Sequence, residues 1–163
     1  MKHLRAPAIL ILGLALVGAL AASAVAKSTP FTANYSGTVT EKVNGQIVTA
    51  TTKGSGKGTL VGKSTIAGLV TADTSSASTS GCAPFTGPGT ITGTGGKLKV
   101  TVVSSRGCAV SEDEQNSINV SGTVKVNGGT SKYKKAKASL HFSGHYDRGT
   151  GAFTVKLTGK LTY

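Results

Sequence analysis

Two histidines, two cysteines, a short acidic run and a lysine cluster are the parts of this chain with chemistry enough to make a site. His141 and His145 stand four residues apart, a spacing that brings two metal ligands together on a helix. The residues around them alternate with a period of two, however. On a strand that spacing puts the rings about 13 Å apart, too far to share one ion. Spacing sets no cysteine, serine or carboxylate beside either ring, so both are read as solvent-facing. Glu112-Asp113-Glu114 holds half of the six acidic residues. It lacks the alternating oxygen ligands and the glycine of a calcium loop and is read as solvated. Gly54-Ser55-Gly56-Lys57-Gly58-Thr59 has no four-residue spacer before its Gly-Lys and no helix after it, so it is not a phosphate cradle. No catalytic, cofactor-binding or metal-binding residue is assigned.

Lys132, Lys134, Lys135 and Lys137 flank Tyr133 and form the densest basic cluster, a candidate contact for polyanions. They also suit an exposed turn and strand edge, where lysine discourages edge-to-edge pairing. The chain carries 18 Lys and Arg against 6 Asp and Glu, a net charge of +12. That balance implies attraction to an anionic cell-envelope polymer or another polyanion, and equally serves solubility. Aromatic residues are too sparse for the stacking platforms of single-stranded nucleic-acid binding, so no nucleic acid is expected.

The amino terminus reads as an export signal. A basic head, Met1 to Arg5, precedes an apolar run from Ala6 that ends on Ala24-Val25-Ala26, and Lys27 opens the polar sequence. This is the pattern of a secretory signal peptide, of bacterial cast, cleaved between Ala26 and Lys27. A run of about 20 apolar residues can also span a bilayer, but the Ala-x-Ala end favours removal. Residues 1–26 are thus a leader and residues 27–163 one secreted domain, with no membrane association after cleavage. In the oxidising compartment that export implies, Cys82 and Cys108 are expected to form a disulfide worth about 3–4 kcal/mol by loop-closure entropy. Nothing in the sequence specifies a subunit interface.

Strand-like alternation dominates the rest. Phe153, Val155, Leu157, Gly159, Leu161 and Tyr163 share one face, with threonines and lysines on the other. Ala138, Leu140, Phe142, Gly144 and Tyr146 do the same, and Asp147 to Gly151 makes a hairpin loop between the two segments. Phe31 to Val39 and Ile118 to Val126 alternate likewise. Asn44-Gly45 predicts a tight turn into Gln46–Lys53, and weaker strands lie around Gly56–Val61, Thr65–Ala72, Gly89–Thr94 and Leu98–Ser104. Asp73–Pro88 and Ser104–Ser117 are read as loops carrying the two cysteines. Glycine recurs at inward positions (Gly37, Gly122, Gly144, Gly159), where a strongly bent sheet needs it. The expected fold is all-β, a small antiparallel β-barrel of about eight strands, with a β-sandwich as the alternative. The echo of Asn34-Tyr35-Ser36-Gly37-Thr38-Val39 in Asn119-Val120-Ser121-Gly122-Thr123-Val124 is either a duplicated hairpin or coincidence.

Gly128-Gly129-Thr130-Ser131-Lys132-Tyr133-Lys134-Lys135-Ala136 resembles the Gly-Gly-Thr-Gly-x-Tyr-x-Gly-Ala-x-Gly turn of the allene oxide cyclase and dirigent-type barrels. The closing hairpin, Ala138 to Tyr163, matches that family in layout. Ser131, Lys135 and Ala138 stand where the family has glycine. The resemblance spans about the last quarter of the chain and implies an eight-stranded antiparallel barrel with a central cavity. None of the family's active-site residues maps onto this sequence.

The function expected from these observations is a secreted, non-catalytic barrel that binds an apolar small molecule or an envelope component. A cyclase or isomerase of the allene oxide cyclase type, and a lysine-mediated polyanion binder, are the alternatives. Mass spectrometry of protein recovered from a secreting host should find a chain that begins at Lys27 and is two hydrogens light. A mass retaining the leader would contradict the export reading.

Overall fold

The computed structural model describes residues 27–78, 81–111 and 116–163. The leader and Glu112-Asp113-Glu114 lie outside the described residues, and so does Ala26 of the cleavage site. Nine strands follow one another: β1 (Ser28–Asn44), β2 (Ile47–Gly58), β3 (Gly62–Asp73), β4 (Cys82–Ala83), β5 (Phe85–Gly93), β6 (Gly96–Ala109), β7 (Ser117–Gly129), β8 (Lys137–Asp147) and β9 (Ala152–Thr162). All but β4 make a closed, antiparallel eight-stranded barrel. Each of these strands pairs with the next one in the chain, and β9 pairs with β1 from Thr38↔Ala152 to Ser28↔Thr162. One closed sheet excludes the sandwich.

The alternation of the sequence becomes the inside and outside of this barrel. Phe31, Ala33, Tyr35, Leu140, Leu157 and Leu161 point inward and are buried. The intervening threonines, serines and lysines are mostly exposed. Two expectations need correction. Gln46–Lys53 and Gly56–Val61 are not separate strands. β2 runs unbroken through Gly54 and Gly56, and the turn comes at Thr59–Val61. Glycine does not interrupt this strand but allows close packing: a Cβ on Gly56 would stand 1.9 Å from the Asn34 carbonyl oxygen. Nor are the cysteines on loops: within Asp73–Pro88, Cys82 lies on β4 and β5 already begins at Phe85, and Cys108 lies on β6. β6 continues to Ala109 because Gly107, Cys108 and Ala109 pair with Val120, Asn119 and Ile118 of β7. The two echoed segments lie on β1 and β7, which run in opposite directions along the barrel, so their likeness does not mark a hairpin repeated in the same orientation.

The two ends of the barrel differ. At one end the β7–β8 connection folds inward as a short 3₁₀ turn, Ser131–Tyr133. Tyr133 is fully buried there and donates its hydroxyl hydrogen bond to the Leu60 carbonyl at 2.8 Å. Its ring meets Tyr163 edge-on at 5.9 Å, and Lys132 Nζ lies 4.9 Å from the same ring. Val61, Leu98, Leu161 and Phe31 pack beneath it. This end is plugged. Deeper in, the Tyr35 hydroxyl and Ser64 Oγ satisfy each other at 2.9 Å.

Holding the plug imposes a left-handed backbone on Ser131, whose φ of 52° is the one positive value among described non-glycine residues. Non-glycine side chains resist that conformation by about 1–2 kcal/mol. Glycine gives back part of the gain through the greater freedom of its unfolded chain. Ser131→Gly should therefore stabilise the protein by about 0.5–1 kcal/mol, read as a rise in the denaturation midpoint. An unchanged or lower midpoint would show that the turn does not strain the serine.

Candidate functional site

The other half of the barrel is not filled. Many of its inward positions are small or medium-sized, among them Ala50, Thr52, Ala72 and Gly107, where the plugged half has Phe31, Tyr35, Ile91 and Leu98. Eight strands enclose a space just wide enough for full-sized side chains, so small residues there leave a chamber. The chamber measures about 230 Å³. Val39, Val48, Ile66, Val70, Val102 and Val120 form much of its wall, while Phe142, Phe153 and Leu157 also line it and pack into the core. The wall makes few polar demands. Thr52 Oγ1 donates to the Gly68 carbonyl at 3.2 Å and is satisfied within the sheet. Ser105 Oγ accepts from the Phe85 amide at 3.0 Å and donates to the Phe85 carbonyl, replacing ladder bonds where β5 gives way to β4.

Polar chemistry is confined to the rim. Glu41 lies near the end of β1, Tyr146 near the end of β8, and Arg148 just beyond β8; all three line the chamber mouth. Arg148 Nε stands 3.9 Å from Glu41 Oε1, a partly exposed pair that adds little stability. The Tyr146 hydroxyl lies within hydrogen-bonding reach of the Glu41 carboxylate. Burial first, then the charge of Glu41 and its hydrogen bond, push the tyrosine pKa up to about 12. Tyr146 is therefore neutral at any ordinary pH, with its hydroxyl beside the Glu41 carboxylate at the mouth. Beside them, Asp73 caps the Thr74–Ser76 turn by accepting from the Ser75 amide and hydroxyl, bonds that hold its carboxyl below the usual range. A long apolar well with one carboxylate, one phenol and one guanidinium at its lip can receive an apolar molecule and orient its polar end.

The residues singled out in the sequence fall elsewhere. Cys82 and Cys108 stand opposite each other on β4 and β6 and are joined by a disulfide, which clamps β4 to the sheet near the mouth. His141 and His145 both lie on the outward face of β8; His145 Nε2 bonds Ser117 Oγ at 3.2 Å, and His141 is exposed. No metal-binding cluster of three or more His, Cys, Asp or Glu occurs among the described residues. Lys132, Lys134, Lys135 and Lys137 are exposed at the plugged end, away from the chamber. Sequence reasoning missed Glu41, although it continues the inward series Phe31, Ala33, Tyr35, Gly37, Val39. A carboxylate in an apolar register was the available signal.

No family model matches the chain, and neither a curated protein nor a solved structure was found to match it.

The raised tyrosine gives a pH dependence with a definite sign. A phenol whose folded pKa exceeds its unfolded value of 10.0 favours the folded state below pH 10, and this contribution is lost as pH rises through about 12. Stability should therefore fall between pH 10 and pH 12, and Tyr146→Phe should make the fall shallower. Denaturant midpoints measured at pH 8, 10 and 11.5 check this; parallel curves for the two proteins would refute it.

Proposed function

We propose that this protein is an exported, non-catalytic binding barrel that takes one apolar small molecule into its half-open interior. The observation that carries the reading is the chamber of about 230 Å³, walled by aliphatic side chains and closed at its far end. A dry apolar cavity of about 150 Å³ is already enough to admit benzene. A ligand that hides about 300 Å² of apolar surface there gains about 7 kcal/mol, at roughly 25 cal/mol per Å², before the cost of association. Glu41, Tyr146 and Arg148 favour a ligand with a hydrogen-bonding end, held at the mouth while the apolar body occupies the well.

The likeness of the β7–β8 turn to allene oxide cyclase and dirigent-type barrels supports the same reading. Ser131, which adopts the left-handed backbone, stands at a position where those barrels have glycine. A cyclase would need an ionisable or polar group facing the substrate deep in the barrel. The ionisable residues lining this chamber, Glu41, Tyr146 and Arg148, are all at its lip, which favours storage or carriage over chemistry.

Titration with an environment-sensitive naphthalene dye tests the proposal. Binding with a Kd in the micromolar range is expected, with a blue shift as the dye enters the well. Ala50→Phe fills the chamber from the level of Glu41, its partner across β1 and β2, and stays clear of the plug; it should weaken binding at least about tenfold while preserving the β-sheet circular dichroism. Dye binding unaffected by Ala50→Phe, or no binding at all, would overturn the reading.

A further inference from the structure

Charge on this barrel is sorted along its axis. Among the described residues the acids are Glu41, Asp73 and Asp147, each at a strand end that opens on the mouth. The plugged end carries lysines and no acid. Lys57 and Lys63 pair across the β2–β3 turn. Lys97 is the second residue of β6, and Lys125 and Lys160 lie in one row across β7, β8 and β9, joined through Ser139. Lys132, Lys134, Lys135 and Lys137 surround the plug itself, and every one of these lysines is exposed. Lys132 is held in place by the Tyr133 ring and by donation to the Leu60 carbonyl at 3.3 Å.

We infer that the plugged end is a docking pole for a flexible, linear acidic polysaccharide, which binds independently of whether the chamber is filled. Three features select that partner. First, the pole's cations are all lysine, whereas the described arginines, Arg106 and Arg148, lie toward the mouth. Lysine reads charge density and lacks the bidentate fork that specific phosphate recognition uses. Second, the lysines encircle a curved end rather than lie in a plane. Neighbours stand about 4.8 Å apart across strands and about 7 Å apart along them, a spacing a pliable chain can follow. Third, the pole offers nothing to insert into a bilayer. The exposed large apolar residues, Val43, Ile47, Leu69, Val103 and Val110, all lie on the wall or toward the mouth, and a membrane-binding face needs such residues beside its cations. Docked in this way, the barrel presents its open mouth outward, away from the polymer.

The test compares two triple variants with equal loss of charge. Lys135→Gln, Lys137→Gln and Lys160→Gln neutralise part of the pole; Lys42→Gln, Lys53→Gln and Lys156→Gln neutralise the wall and mouth. Heparin serves as the probe, with affinity measured over a salt series. The unmodified protein should bind with an affinity that falls steeply as salt rises, through counterion release. The pole variant should lose at least about tenfold in affinity and about two units of log–log salt slope, and the wall variant less than about threefold. A second readout needs no variant: bound heparin should shield Lys135 and Lys137, but not Lys42, from amine acylation. Equal losses in the two variants, no shielding, or binding to phosphatidylglycerol vesicles or duplex DNA that outlasts heparin binding as salt rises would each overturn the inference.

Discussion

Closure of the sheet is the constraint on which everything else in this molecule depends. Once β9 pairs with β1, no described residue of the eight strands can choose its environment freely; each faces either a narrow interior or solvent. Interior volume then becomes a fixed quantity that side chains either fill or leave open. Phe31, Tyr35, Ile91, Leu98 and Leu140 fill one half, and Tyr133 seals it from below. Alanine, threonine and valine leave the other half open. The chamber is thus a consequence of residue size at fixed positions, and it requires no special loop or insertion.

Much of the fold was legible because a half-buried strand writes its geometry into sequence with a period of two. β8 and β9 could be read residue by residue, from Ala138 to Tyr146 and from Phe153 to Tyr163. The pattern was weakest where glycine replaced the inward apolar residues. Gly54, Gly56 and Gly58 hid the middle of β2, and one strand was read as two. The cysteine-bearing segments were misread for a related reason: Ser104, Ser105 and Gly107 have the composition of a loop, yet backbone pairing with β7 keeps them in the sheet. A central cavity was implied by the family resemblance, but the chamber's extent and its place in one half of the barrel could not be read. Its size depends on which inward residues share a level of the barrel, and that follows from register rather than from any single strand. Glu41 is far in sequence from Tyr146 and Arg148, and only the seam between β1 and β9 brings them to one lip.

The two halves divide the physical work. The plugged half holds Phe31, Tyr35 and Tyr133, the Tyr35–Ser64 hydrogen bond and the densest group of exposed lysines. The open half holds the disulfide, the apolar well and the described carboxylates. If a guest enters as proposed, the wall that accommodates it is not the wall that keeps the barrel closed. The disulfide fits this division. It fastens β4 to β6 near the mouth, where the well leaves few core contacts to hold the sheet edge.

The meander order of the strands also fixes the sequence of events by which the barrel can assemble. Apart from the short β4, which lies between β3 and β5 and pairs with β6, each pairing from β1 to β9 joins successive strands and can form as a local hairpin, quickly and with little entropy lost to loop closure. The seam is different, because its two strands lie at opposite ends of the described chain, and the Tyr163 amide donates to the Lys27 carbonyl at 3.3 Å. β1 must wait for β9 before its outer edge is covered. During that interval an open, twisted ribbon exposes the β1 edge, and its 17 residues make it a long template for pairing with another molecule. The slow step of folding, and the moment of greatest exposure to aggregation, should therefore both be the joining of the two ends.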